Sequence, residues 1–146
     1  MKKIVFLFVS LFVMNLVVLA DNDKPIQISQ MPKKAQSFVL KHFADQSVAV
    51  AKMETDFLDK TFDVIFTNGD KVEFDKKGNW TKIDCEHTQV PAEVIPAAIQ
   101  QYLSKNYPDA KVVKIEKTDR KGYDVDLSNG FDIEFDKHMN VREIDR

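Results

Sequence analysis

The chain has 146 residues, of which 44% are hydrophobic and 30% are charged, and its formal net charge is −2 at neutral pH. This length and composition suit one globular domain. The slight acidic excess argues against nucleic acid and anionic membrane surfaces as partners, because both are bound through basic patches.

Residues 1–20 have the pattern of a secretory signal peptide. Lys2 and Lys3 form a positive start, residues 4–19 are almost wholly apolar, and Ala20 precedes a polar stretch. The apolar run is short for a membrane-spanning helix, which needs about 20 residues. We therefore expect cleavage, a periplasmic or secreted protein, and no stable membrane insertion. Cleavage would remove two of the 21 basic residues and none of the 23 acidic ones, leaving a net charge of −4.

Residues 62–84 and 123–145 are similar at a constant offset of 61. Such a period is too long for a solenoid repeat, so the pattern predicts a tandem duplication of one small module. We expect an N-terminal extension over residues 21–30, a first module over 31–86 and a second over 87–146. A module of about 60 residues would be marginally stable alone, so the two should form one compact unit.

Each module begins with a predicted helix, and a proline lies just before the helix or at its first position. The first starts near Pro32. In the second, a short turn over 91–95 comes before a helix from about Pro96 to Asn106. Apolar residues recur at steps of three and four in both helices, which is typical of one buried stripe. They are Ala35, Phe38, Val39, Phe43 and more loosely Leu40 in the first helix, and Ile99, Tyr102 and Leu103 in the second.

Four short strands are predicted after each helix. They cover residues 48–56, 61–67, 71–75 and 80–84, then 111–119, 122–128, 131–136 and 141–145. The Asn-Gly pairs at 68–69 and 129–130 lie between alternating runs, a strong hairpin signal. The order predicts an α+β fold: a helix followed by a four-stranded antiparallel meander, twice, with sheets that could be continuous and with the helices on one face.

Alternation leaves the other face of the sheet polar and open to solvent. Strict alternation puts Trp80 on this face near Ile65, and an exposed tryptophan beside an aliphatic residue is typical of a binding hot spot. A bulge near Gly78-Asn79 would instead turn Trp80 into the core, and the sequence leaves both arrangements open. The candidate binding residues are Trp80, Ile65, Lys82, Asp84, Asp63 and Lys71.

The second module carries an acidic row on the corresponding face. It consists of Asp124, Asp126, Asp132 and Glu134. The segment departs from a calcium-binding EF-hand loop, because its glycine lies one position late and a bidentate glutamate is missing at the required distance. A solvated strand face is the simpler interpretation, and a divalent-cation site is the alternative.

The sequence contains no pattern that indicates catalysis or a cofactor. His42, His87 and His138 lack the spacing of zinc ligands, and no serine lies in a G-x-S-x-G motif. Cys85 is the only cysteine, so its thiol is either buried and inert or free for intermolecular pairing. We therefore expect neither an enzyme nor a cofactor.

With its Asn-Gly hairpins, its Glu-Phe-Asp strands and the segment Tyr107-Pro108-Asp109-Ala110-Lys111 after the second helix, the chain resembles the PepSY-like family of exported bacterial proteins over about residues 26–146. The fold of that family is similar to that of the beta-lactamase inhibitory protein. The resemblance implies a sheet face suited to binding. It supplies no catalytic motif, so no site residue can be transferred.

These patterns favour a non-catalytic exported binding protein. It would engage a peptide or protein of the cell envelope through the open sheet face, and could inhibit a protease or another envelope enzyme. The alternative is a carrier of a small ligand or divalent cation, held in a groove or on the acidic strand face. We expect a monomer or a weak dimer.

Overall fold

A computed structural model describes residues 22–146, so the predicted signal peptide lies outside the described residues. These residues form two helices and nine strands, which confirms the predicted α+β class. The helices are α1 (Lys33–His42) and α2 (Ala97–Asn106). The strands are β1 (Asp23–Ile26), β2 (Val48–Asp56), β3 (Asp59–Phe66), β4 (Lys71–Phe74), β5 (Trp80–Asp84), β6 (Val112–Lys117), β7 (Tyr123–Leu127), β8 (Asp132–Phe135) and β9 (Val141–Asp145).

All nine strands form one antiparallel sheet in which each strand pairs with the next one along the chain. The two halves meet where β5 pairs with β6, with Ile83 opposite Ile115. β1 was not predicted; it extends the sheet beyond β2. β1 and β9 are therefore the two edge strands.

The core lies between the helices and one face of the sheet. Aromatic contacts join the two layers: Phe38 of α1 meets Phe74 edge-on at 5.6 Å between ring centroids, and Tyr102 of α2 meets Phe135 at 5.5 Å. Leu40 is 72% exposed, so its loose assignment to the buried stripe is wrong. The other face of the sheet carries mostly charged side chains. In residues 22–146, neither helix is long and apolar enough to cross a membrane.

Asp70 lies at the end of the β3–β4 turn and is the one charged residue that is buried in residues 22–146. Its side chain is fully enclosed. One carboxylate oxygen accepts hydrogen bonds from the side chains of Gln46, Asn68 and Thr88 at 2.7–3.1 Å. These bonds tie the α1–β2 loop and the segment after β5 to the β3–β4 turn. Cys85 is also fully buried, and burial together with the charge of Asp70 raises the pKa of its thiol to about 12. The buried position that was one of the two predicted for Cys85 is thus confirmed.

Candidate functional site

Side chains on the open face of the sheet form two rows that run across the strands. Strand register places the members of each row directly opposite one another, and in β-sheets such cross-strand neighbours interact. The first row is Lys52, Asp63, Glu73, Lys82, Glu116, Asp124, Glu134 and Glu143. The second row is Val50, Ile65, Lys71, Asp84, Lys114, Asp126, Asp132 and Asp145.

Charge is distributed unevenly along these rows. Over β2–β5 the rows contain acidic side chains, basic side chains and the apolar Val50 and Ile65. Over β7–β9 both rows consist only of carboxylates, which we call the acidic patch: Asp124, Asp126, Asp132, Glu134, Glu143 and Asp145. Two cations reach it from its margins. Lys114 lies 3.1 Å from Asp126, and Arg142 lies 3.2 Å from Glu134.

In the first half of the sheet, a lysine neutralises the corresponding carboxylates. The ammonium group of Lys71 lies 2.9 Å from Asp63 and 2.8 Å from Glu73. Partial burial alone would lower the pKa of Lys71, but its hydrogen bonds to the two carboxylates outweigh that effect and raise the pKa to about 12. Lys71 therefore acts as an internal counter-ion held between adjacent strands.

In the second half, the position that corresponds to Lys71 at the offset of 61 is Asp132. Asp132 lies opposite Asp126, and Asp124 precedes Asp126 by two residues on the same face of β7. One carboxylate oxygen from each of these three residues, the aspartate triad, lies within 4.8 Å of the other two. Three acidic groups thus converge where the first half has Asp63, Ile65 and Lys71.

The neighbouring carboxyl groups of the triad change the pKa of Asp132. A hydrogen bond with Asp124, followed by partial burial and the negative charges of Asp124 and Asp126, raises the pKa of Asp132 to about 7. The Oδ1 atom of Asp126 is buried and has no hydrogen-bond partner among the described residues. A hollow of about 120 Å³ lies beside the triad and is lined by Asp124, Asp132, Glu134, Glu143 and Asp145. This arrangement offers several oxygen ligands to a cation.

Trp80 does not lie on this face. A bulge shifts the register between β4 and β5, so that Thr81 is the extra residue and Trp80 pairs with Phe74. Trp80 therefore turns toward the helices, where it is half-buried and packs against the core. Of the two arrangements predicted for Trp80, the one with Ile65 on the open face is wrong and the bulged one is correct. Lys82, Asp84, Asp63 and Lys71 share the open face with Ile65, as predicted.

The tip of the β2–β3 hairpin was not predicted as a site from the sequence. Phe57 and Leu58 are 94% and 82% exposed, and Phe57 has a backbone φ of 40°, a conformation uncommon for a bulky residue. An available signal was the sequence Asp56-Phe57-Leu58-Asp59, in which two large apolar residues occupy a reversal that is usually polar. The corresponding loop of the second half has Thr118 and Asp119 instead.

Comparisons with known proteins give one family and several solved structures. The profile of the family described as "Putative beta-lactamase-inhibitor-like, PepSY-like" matches residues 60–143. A Bacteroides thetaiotaomicron structure, described as a "putative calcium-regulated periplasmic protein", is 59% identical with a TM-score of 0.84, and the match covers 87% of this chain and 99% of that one. A search of curated proteins found no match.

Two structures from Bacteroides vulgatus are also similar. One, described as a "putative periplasmic protein", is 57% identical over 87% of this chain and 99% of its own, with a TM-score of 0.83. The other, described as a "putative periplasmic protein of unknown function", is 36% identical over 85% of this chain and 99% of its own, with a TM-score of 0.78. All three proteins are described as periplasmic, which confirms the predicted periplasmic or secreted location.

Proposed function

This chain belongs to the PepSY-like family, and from that premise we propose that it is a non-catalytic periplasmic protein that binds calcium on the open face of its sheet. The aspartate triad is the binding site. The observation that carries the proposal is the substitution of Asp132 for Lys71 at corresponding positions. Where the first half has Lys71 between two carboxylates, the second half has a third carboxylate, and its cations, Lys114 and Arg142, lie at the margins of the acidic patch.

The ligands favour calcium over other common cations. The triad and its neighbours offer only oxygen atoms, which suit hard cations, whereas zinc sites usually include histidine or cysteine. Oxygens bound to one calcium ion at 2.3–2.6 Å lie at most about 5 Å apart, and the triad oxygens lie within 4.8 Å. Glu134, Glu143 and water can complete the six to eight ligands that calcium takes.

The similarity to a protein described as calcium-regulated supports the same assignment. Because the site lies on an open face, we expect an affinity in the range of extracellular calcium modules, with a Kd of about 10⁻⁴–10⁻³ M. Such a site responds to the calcium concentration outside the cytoplasm. Calcium bound there would connect β7 with β8 and, through Glu143 or Asp145, with the edge strand β9.

Thermal unfolding in the presence of calcium tests the proposal. At about 10 mM calcium and the expected affinity, binding to the native state alone stabilises the protein by about 1–3 kcal/mol. Asp132→Asn should remove most of this stabilisation. Asp63→Asn is the matched control, because it removes the carboxylate that corresponds to Asp124 from the half that already contains Lys71. A wild-type protein whose midpoint does not move with calcium would rule out the site.

A second candidate function is docking onto an envelope protein through the tip of the β2–β3 hairpin. Phe57 and Leu58 expose nearly all of their apolar surface, and a pair of this kind can fill a pocket on a partner. The family's description as beta-lactamase-inhibitor-like also suits a protein that docks onto another protein. The contact with a protein partner, predicted from the sequence at Trp80 and Ile65, is thus assigned to the hairpin tip instead.

Capture of partners from a periplasmic extract tests the second candidate. We expect the double variant Phe57→Ser, Leu58→Ser to lose a protein that the wild type retains, with little change in stability because neither side chain is buried. Leu40→Ser is the matched control, since Leu40 is an exposed leucine on a different element. Equal capture by the double variant and the wild type would exclude the hairpin tip as the docking element.

A further inference from the structure

A groove lies on the helix side of the sheet, on the opposite face from the aspartate triad. It has a volume of about 360 Å³ and lies between α1, the start of β5 and the 3-10 turn Ala92–Val94. This volume is within the range of sites for small organic ligands. Neither the calcium site nor the tip of the β2–β3 hairpin uses it.

The floor of the groove is apolar and ordered by packing. It is formed by Phe38, Trp80 and Val94, all of which contact the core. Trp80 lies 6.3 Å from the ring of Tyr123, and Phe38 is fixed edge-on against Phe74. The β4–β5 bulge places Trp80 here, and Val141 stands at the corresponding position of the second half. The second half therefore has no tryptophan at this position.

Two lysines line the same groove. Lys117 places its ammonium group 4.0 Å from the centre of the Trp80 ring, and Lys34 donates a hydrogen bond to the amide oxygen of Asn79. Neither ammonium lies within 4.0 Å of a carboxylate oxygen in residues 22–146. Partial burial and the positive charge of Lys34 lower the pKa of Lys117, against the opposing effect of Asp75. A bound anion would offset the repulsion between the two lysines.

The groove also contains one acidic side chain at its rim. Glu93 is 73% exposed and lies 3.3 Å from the imidazole Nδ1 of His42, with which it forms an ion pair only when the imidazole is protonated. The groove therefore combines an apolar floor with two lysines on its wall. A phosphate-rich ligand would leave the aromatic floor unused, whereas an apolar acid matches both features.

We propose that this groove binds a small amphipathic carboxylate, whose apolar body lies on Phe38, Trp80 and Val94 and whose carboxylate lies between Lys34 and Lys117. Charge complementarity sets the position of the carboxylate, and the aromatic floor provides the contact area. This site is independent of the calcium site, because the two lie on opposite faces of the sheet.

Trp80 is the only tryptophan of the chain, so its fluorescence reports directly on the groove. The probe is 4-phenylbutyrate, titrated into the wild-type protein and compared with 4-phenylbutanol, which has the same apolar body without the charge. We expect a saturable change in Trp80 emission with the acid and at least a tenfold weaker interaction with the alcohol, the effect of losing a charged hydrogen bond. Isothermal calorimetry provides a second measure of the same affinities.

Lys34→Gln and Lys117→Gln should each weaken binding of 4-phenylbutyrate by about tenfold. Lys33→Gln is the matched control, because Lys33 is an exposed neighbour on α1 that does not line the groove. The proposal is overturned if the alcohol binds as well as the acid, if Lys33→Gln costs as much affinity as Lys34→Gln, or if neither fluorescence nor calorimetry detects saturable binding.

Discussion

Replacing Asp132 by lysine should stabilise the calcium-free protein. Asp132→Lys gives the second half the residue that the first half has at Lys71, and places an ammonium group between Asp124 and Glu134. The change removes one member of a cluster of like charges and adds ion pairs like those of Lys71 with Asp63 and Glu73. Most single substitutions destabilise a protein, so a gain in stability would be a specific result.

The size of the gain follows from the pKa of Asp132. Its rise from 3.8 to about 7 would correspond to about 4 kcal/mol if the cluster were shielded from water. The residue is only partly buried, and solvent screening reduces such energies to about 1 kcal/mol. Two new exposed ion pairs add a few tenths of a kcal/mol each. We therefore expect Asp132→Lys to be about 1–2 kcal/mol more stable than the wild type at pH 8.

The sign of the pH dependence is also fixed. Because the pKa of Asp132 is higher in the folded than in the unfolded protein, the folded state binds more protons between about pH 4 and 7, and stability falls as pH rises through that range. The advantage of Asp132→Lys should therefore grow between pH 4 and 7 and then level off. It is measured by urea unfolding in EDTA at several pH values.

The reverse exchange is the control. Lys71→Asp removes the counter-ion of the first half and should destabilise the protein by a similar amount at pH 8. If Asp132→Lys is less stable than the wild type at pH 8, or if its advantage shrinks as pH rises from 4 to 7, the interpretation of the triad as a site with excess negative charge is wrong.

Three further predictions concern binding, turns and the buried carboxylate. Calcium affinity measured by calorimetry should increase from pH 6 to pH 8, because Asp132 must lose its proton to bind the ion; an unchanged affinity would mean that Asp132 is not a ligand. Gly78→Ala should cost about 2–4 kcal/mol in urea unfolding, since its backbone φ is +84° and a Cβ atom would lie 2.9 Å from the α1 backbone. Gly130→Ala, with a φ of +86° and open space around it, should cost only about 1–2 kcal/mol, and equal losses would contradict the proposed clash. Asp70→Ala should cost about 2–3 kcal/mol, because it leaves buried hydrogen-bond donors without an acceptor, and Asp70→Asn should cost less in the same assay.

The sequence predicted most of the strands because their signals are local. Asn-Gly turns and alternating side chains fix where each hairpin reverses and which residues point inward. The acidic residues of the triad were found in the same way, since Asp124 and Asp126 alternate along one strand. Their convergence with Asp132 depends on the register between β7 and β8, a property of two strands together.

Other features depend on contacts between distant segments. β1 contains Pro25 and only four residues, so nothing in its own sequence distinguishes it from an extended tail; pairing with β2 makes it a strand. The orientation of Trp80 depends on the bulge at Thr81, which arises from the register between β4 and β5. Leu40 follows the helical spacing only loosely, and the structure places it outside the contact between α1 and the sheet.

The acidic patch also affects how the open edge of β9 interacts with other chains. An unpaired edge strand can pair with the edge of another chain unless something prevents it, and in residues 22–146 β9 pairs with β8 alone. Pairing of two β9 edges would bring two acidic patches side by side. Each patch has six carboxylates against two cations at its margins, so two approaching copies repel each other. Neutralising these carboxylates would remove that repulsion. The negative charges that favour cation binding by the acidic patch thus also oppose edge-to-edge association.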